Sequence, residues 1–255
     1  MSQNHPNKVS SREWSGFIAM AFGMFMAILD IQIVSSSLSE IQAGISASAD
    51  EISWVQTSYL IAEVIMIPLS GYLSRIFSTR VIFCLSCLGF TLMSLLCSFA
   101  WNIESMIFFR ALQGFVGGAM IPTVFAAGFI MFPPRLRPTV GVIVGLVATL
   151  APTLGPTLGG YLTQIFSWQW LFLINIVPGI IVTALVWLLV NIDKPNFSLL
   201  KRFDILGALS MATFLGSLEY ILEEGPREGW FDDTTILTFT CLMALACFDL
   251  SRTYC

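Results

Sequence analysis

The stretch TVGVIVGLVATLAPTLGPTLGGYLTQIF, Thr139 to Phe166, carries no charged residue. A run that long and that apolar reads as a membrane-crossing helix, since a span needs about 20 apolar residues. Yet its inner window APTLGPTLGG, Ala151 to Gly160, holds two prolines and three glycines. Each proline removes a helix hydrogen bond, and each glycine weakens a helix in water. The odd residues are not scattered. At about 100° per residue, Gly141, Gly145, Ala148, Pro152, Gly155, Pro156, Gly159 and Gly160 fall on one face about 140° wide. Small residues along one face let membrane helices approach closely. The carbonyls of Ala148 and Pro152 lose their usual donors, a defect tolerated in membranes where neighbouring helices or water supply others. The window therefore predicts a kinked helix, tightly packed on one side, of the kind that seals a protein opening alternately to each face of a membrane.

The rest of the chain fits an all-α polytopic membrane protein. Its 255 residues are 56% hydrophobic and 11% charged, against about 25% charged in soluble domains. Mean hydropathy is +0.82. Eight apolar runs are read, at about 15–37, 52–74, 81–100, 105–132, 138–166, 168–190, 205–222 and 234–248, the last two short. With the N-terminus in the cytoplasm, Lys8, Arg12, Arg75, Arg80, Arg135, Arg137, Lys194, Lys201, Arg202 and Arg252 fall inside, and Arg227 alone falls outside. That asymmetry obeys the positive-inside rule. The loop 223–233, with Glu223, Glu224 and Glu228, is expected outside. Cys84 and Cys87 have metal-site spacing but no partnering histidine or second pair, so they read as small buried residues, and no metal or cofactor is expected. The lone histidine, His5, lies in the polar tail. No nucleic-acid partner is indicated, and no serine–histidine or paired-aspartate constellation suggests an intramembrane enzyme.

Charges within the runs are functional candidates, because a charge in a bilayer is costly unless it faces a partner or a cavity. Asp30, Glu63 and Arg110 are such charges. At 1.5 Å per residue, Asp30 lies roughly 11 Å and Arg110 roughly 8 Å from the outer side, so the two could meet. Glu63 lies near mid-membrane, roughly 17 Å from either side. A carboxyl there that exchanges a proton with a water-accessible cavity is what a proton-coupled transporter needs. In RALQGFVGGAMIP, Arg110 to Pro122, the residues Arg110, Gln113, Gly114 and Gly117 share one face about 100° wide, which should look into the protein. The plainer alternatives are a structural ion pair, a snorkelling Arg110 and a polar helix contact at Glu63.

Four motifs resemble one family. LAPTLGPTLGGYL followed by SWQWLFLINIVPG (Ser167 to Gly179) resembles the antiporter motif and adjoining helix of the major facilitator superfamily, in the fourteen-helix drug:proton antiporter branch (EmrB/QacA-type), which includes the Gram-negative efflux permeases of the EmrB type. RALQGFVGGAMIP is similar to that family's fourth-helix motif, LDIQIVSSSL (Leu29 to Leu38) to its first, and WVQTSYLIAEVIMIPLSGYLSR (Trp54 to Arg75) to its second. The resemblance implies Arg110 as the proton-coupling arginine and Asp30 as the membrane aspartate; together with Glu63 and Gln113, read above from depth and helix face, they form the expected proton-coupling and substrate set. The resemblance also implies an antiporter motif of Pro152, Gly155, Pro156, Gly159 and Gly160, and a gating loop holding Gly71, Arg75 and Arg80. That loop, GYLSRIFSTR, departs from the family's G-x-L-A-D-R-x-G-R: Arg75 replaces the aspartate, Ile76 the next arginine and Ser78 the later glycine.

The implied organisation is a cytoplasmic tail over 1–14, a six-helix N-terminal transporter half over 15–190, a cytoplasmic loop over 191–204, two linker helices over 205–248, and an atypical, truncated end over 249–255. The implied function is proton-coupled efflux of amphipathic compounds across a bacterial inner membrane, with a periplasmic adaptor and an outer-membrane channel as partners. A non-transporting remnant of such an exporter is the alternative, because alternating access needs a second half.

Overall fold

A computed structural model describes residues 9–254, leaving Lys8, His5 and Cys255 outside the described residues. Among the described residues eight helices are long and apolar enough to cross a membrane. The first, α1 (Ser11–Ser35), starts where Ser10 accepts from the Glu13 amide while the Glu13 carboxylate accepts from the Ser10 amide. This reciprocal cap satisfies two otherwise orphaned donors. The helix thus begins four residues earlier than the expected tail boundary.

A short helix, α2 (Leu38–Ile45), not foreseen from the sequence, leads to α3 (Trp54–Phe77) and α4 (Thr79–Ser98). The run read at 105–132 is one span in two pieces, α5 (Ile103–Gly117) and α6 (Met120–Met131), broken at Gly118 and Ala119. Then follow α7 (Arg137–Ile165), the turn α8 (Trp170–Leu173) continued by α9 (Ile176–Leu189), and the hairpin α10 (Ile205–Glu228) and α11 (Thr234–Tyr254).

The helix pairings carry an internal symmetry. α1 packs extensively on α7, and α3 on α5; α1 packs on α9, and α4 on α5; α4 also packs on α9. Exchanging the first three spans for the next three maps this set of pairs onto itself, as inverted three-helix repeats require. Methionine and phenylalanine side chains of α1, α4 and α6, with valines of α9, fill the centre. The α10–α11 hairpin lies outside the six-span unit, with α10 against α3. Large apolar side chains elsewhere face outward, Leu85, Phe108, Phe129 and Val177 among them, as a lipid environment allows.

Two expectations need correcting. The seventh span does not stop at residue 222 but continues to Glu228 with Pro226 inside it. Its last turns are held because Thr57 donates to the Glu224 carboxylate at 2.7 Å, and Arg227 donates to the Asp50 carbonyl at 2.5 Å and to Ser53. Glu224 is therefore buried rather than part of a solvated loop. The eighth span is not short: α11 runs through the segment read as an atypical end. The loop over 191–204 contains a 3-10 turn (Phe197–Arg202) packed against the end of α3, where Tyr72 donates to the Leu199 carbonyl at 2.5 Å, and its earlier part reaches the start of α4. There Asp193 accepts from the Thr79 amide at 2.9 and 3.0 Å and from its hydroxyl at 2.7 Å.

Ser78, the residue standing at the family's usual glycine, has φ +85° and ψ 147°. That region is costly for any residue with a Cβ, on the order of 1–3 kcal/mol. Replacing an N-cap serine by glycine forfeits only a few tenths of a kcal/mol. Ser78→Gly is expected to raise stability by about 1 kcal/mol after the added unfolded-chain freedom of glycine, read as a higher thermal midpoint in detergent; a lower midpoint would contradict the strain.

Candidate functional site

The opening window does not pack as its small residues suggest. The buried stripe of α7 is Val140, Val144, Ala151, Gly155, Gly159 and Leu162, whose direction lies roughly 80° around the helix from the centre of the small-residue face. Only Gly155 and Gly159 belong to both. A Cβ on Gly155 would strike Gln32, and one on Gly159 would come within 2.7 Å of Ser37 Oγ. Gly141, Gly145 and Pro156 are exposed, Pro152 and Gly160 half-buried, and Gly141, Gly145 and Gly160 have open space before them. α7 runs without interruption through both prolines. The close contact is confined to the crossing of its second half with the end of α1.

That crossing lies beside a buried polar cluster. Arg110 of α5 is fully buried, and its Nη1 donates to Asp30 Oδ2 of α1 at 2.7 Å and to Gln113 Oε1 at 2.8 Å. Its Nε donates to the Val55 carbonyl at 3.2 Å. The guanidinium sits 4.1 Å from the centre of the Tyr59 ring and 5.9 Å from that of Phe172. Asp30 also accepts from Asn175 Nδ2 at 2.7 Å, and Gln113 Nε2 donates to Ser94 Oγ at 2.8 Å. The group draws on α1, α4, α5 and the residue joining α8 to α9. Further hydrogen bonds offset the desolvation of a buried charge pair; here one carboxylate is shared by an arginine and an asparagine, while Arg110 Nη2 is left without a partner among the described residues.

Glu63 is not in this ion pair. It is 7% exposed, lies one turn beyond Tyr59 on the same face of α3, and is within electrostatic reach of Arg110, Asp30 and Glu219. Its Oε1, the Tyr59 hydroxyl, Gln56 Oε1 and Arg110 Nη2 have no hydrogen-bond partner among the described residues. Buried polar atoms are nearly always satisfied by protein or water, so this α3 face is where water or a bound group would be held. The residues assigned to the gating loop lie far from it and are helical, Gly71 and Arg75 in the last turns of α3 and Arg80 in the first turn of α4, with Ser78 alone between the two helices. Gly71 and Arg75 are exposed, and Arg80 covers the Trp187 ring at 4.9 Å, all at the end of the bundle where α1 starts.

Asn175, Ser94 and Tyr59 were not singled out from the sequence. Their signal was available in the depth arithmetic. Asn175 and Tyr59 each lie seven residues into inward-running spans, and Ser94 six from the end of an outward one. That puts all three within roughly 9–11 Å of the same side, level with Asp30.

Residues 20–250 match the Major Facilitator Superfamily. The chain is 54% identical over 223 residues to the colistin resistance protein EmrB of Acinetobacter baumannii, covering 88% of this chain and 44% of that protein. It is 30% identical over 232 residues to the multidrug export protein EmrB of Escherichia coli K12, covering 91% and 45%. It thus spans less than half the length of these relatives. Among solved structures, a proton:xylose symporter of the superfamily, XylE, superposes with a TM-score of 0.62 at 15% identity, over 91% of this chain and 57% of that one. With eight helices long and apolar enough to cross a membrane among its described residues, and with swap-symmetric packing, the chain belongs to the Major Facilitator Superfamily, alongside multidrug resistance transporters of the EmrB type.

Proposed function

We propose that this chain supplies the first half of a proton-coupled exporter of amphipathic compounds in a bacterial inner membrane, with its N-terminus in the cytoplasm. The observation that carries the reading is the fully buried Asp30–Arg110 pair, with the unpaired carboxyl of Glu63 beside it on α3. Asp30 is compensated and fixed; Glu63 has an oxygen with no partner and is the group free to exchange a proton. Protonation of Glu63 would remove a negative charge near Arg110 and change the local balance that holds Asp30. A cationic, amphipathic substrate and a proton would then compete for the same negative charge, which is the logic of antiport. The multidrug and colistin resistance named for the relatives supports that substrate class. The orientation rests on the charge asymmetry, since Arg12, Arg75, Arg80, Arg135, Arg137, Lys194 and Lys201 all lie at the end of the bundle where α1 starts. A periplasmic adaptor and an outer-membrane channel are partners inferred from the EmrB resemblance.

The test is resistance to a lipophilic cation and to colistin in a strain stripped of its own drug pumps, with membrane levels matched by immunoblot. The chain would be expressed alone and together with the C-terminal half of an EmrB relative. Glu63→Gln, nearly isosteric, is expected to reduce proton-driven export at least tenfold without lowering membrane level. Undiminished export by that variant would remove Glu63 from the coupling set. Resistance only when the second half is present would mark the chain as half a pump. Absence of resistance in both settings, at normal membrane level, would favour the non-transporting alternative.

A further inference from the structure

Two apolar grooves run along the outward face of α9. One, of about 480 Å³, lies between α9 and α4, with Leu85, Leu88, Ile180 and Ala184 among its walls and Trp187 at its end. The other, of about 500 Å³, lies between α9 and α1. The floor of the first is apolar in effect, because its Cys84 thiol already donates to the Thr183 carbonyl at 3.7 Å. Along α4 it extends from Val81 to Leu88, a rise of roughly 10 Å. That is most of one leaflet of a hydrocarbon core about 30 Å thick.

The two grooves differ at the end of the bundle where α1 starts. In the α4–α9 groove, the Arg80 guanidinium lies 4.9 Å over the ring of Trp187, which is half-exposed. Among the described residues no carboxylate is within ion-pair distance of Arg80. The nearby acid, Asp193, has both oxygens engaged by the Thr79 amide and hydroxyl. At the α1–α9 groove the corresponding cation, Arg12, donates instead to the Leu188 carbonyl at 2.7 Å. An aromatic ring at the level of the headgroups, a guanidinium stacked on it, and an apolar channel below form the pattern that binds a lipid phosphate and its chain.

We propose that the α4–α9 groove is a binding site for an anionic phospholipid, with one acyl chain along Leu85, Leu88 and Ile180 and the headgroup phosphate on Arg80. Arg80, assigned by resemblance to a gating loop, thereby has a second role in fixing a lipid against α9.

The test is the thermal unfolding midpoint of the full chain in neutral detergent, followed by tryptophan fluorescence while mixed micelles of dioleoyl phosphatidylglycerol or dioleoyl phosphatidylcholine are added. Phosphatidylglycerol is expected to raise the midpoint by several degrees more than phosphatidylcholine. Arg80→Gln should abolish that difference, and Arg12→Gln should preserve it. Ala184→Trp, which fills the groove from an exposed position, should remove the response to both lipids. Glycerol 3-phosphate alone should have no effect. Equal responses to the two lipids in the unmodified chain would overturn the proposal. So would a difference surviving Arg80→Gln or Ala184→Trp, a loss on Arg12→Gln equal to that on Arg80→Gln, or a full response to glycerol 3-phosphate.

Discussion

Arg110→Ala is expected to be among the most destabilising single substitutions in the chain. It leaves the Asp30 carboxylate buried with Asn175 as its close remaining donor, since Gln113 Nε2 is 3.5 Å away. Removing one member of a buried ion pair costs about 3–5 kcal/mol, because the other charge stays uncompensated. The same argument makes Asp30→Asn costly, as it strands a guanidinium 0% exposed to solvent. The double variant Asp30→Asn with Arg110→Gln should then recover much of the loss, because no charge remains to be desolvated. Arg110→Lys keeps the charge but not the planar fork that donates to Asp30, Gln113 and the Val55 carbonyl while lying on Tyr59. It should fold better than Arg110→Ala and, on the proposed exporter role, still support export poorly when a second half is supplied. Unfolding in graded denaturing detergent, followed as a double-mutant cycle, measures the coupling. Strictly additive losses would show that the two groups do not sense each other.

Asp30 and Arg110 could be paired from the sequence because helix rise is constant, so depth follows from counting residues. A count confined to charged residues reaches only those two. Extended to Asn175, Ser94 and Tyr59 it places them at the same level, and the full polar cluster was within reach of the same arithmetic. The small face of α7 failed for a different reason. Glycine and proline identify a face by size, but burial depends on which way the helix turns as it crosses α1. Only Gly155 and Gly159 lie at that crossing, and the phase of a helix relative to its neighbour is a tertiary quantity. The end of α10 failed through local propensity. EEGPRE reads as a loop by its proline, glycine and charges, yet Thr57, Ser53 and Asp50 of other segments supply the partners that keep it helical. Propensity is a weak prior where tertiary hydrogen bonds compete with it.

Gly114→Ala carries the second large expected effect, and it separates packing from size alone. Gly114 faces α3, where an added Cβ would fall on the Tyr59 carbonyl oxygen, with the carbonyl carbon at 2.9 Å and Cα at 3.1 Å. Those are backbone atoms, so no rotamer change relieves the overlap; α3 and α5 must move apart. Overpacking costs about 1–3 kcal/mol when side chains can adjust, and a backbone obstacle puts this substitution at or above the top of that range. Gly118, whose Cβ would lie 2.8 Å from the Glu63 carbonyl oxygen, should behave similarly. Gly141→Ala, facing open space, should be neutral or stabilising by up to about 1 kcal/mol through helix propensity. Separation of α3 from α5 also carries Tyr59 and Glu63 away from Arg110. On the proposed exporter role, with a second half supplied, even the folded fraction of Gly114→Ala should therefore lose export beyond what its reduced membrane level explains. The check is resistance normalised to folded protein by fluorescence-detected size exclusion. Wild-type export per folded molecule in Gly114→Ala would mean that the distance between Arg110 and the α3 face does not set coupling, and would leave the α3–α5 contact a matter of stability alone.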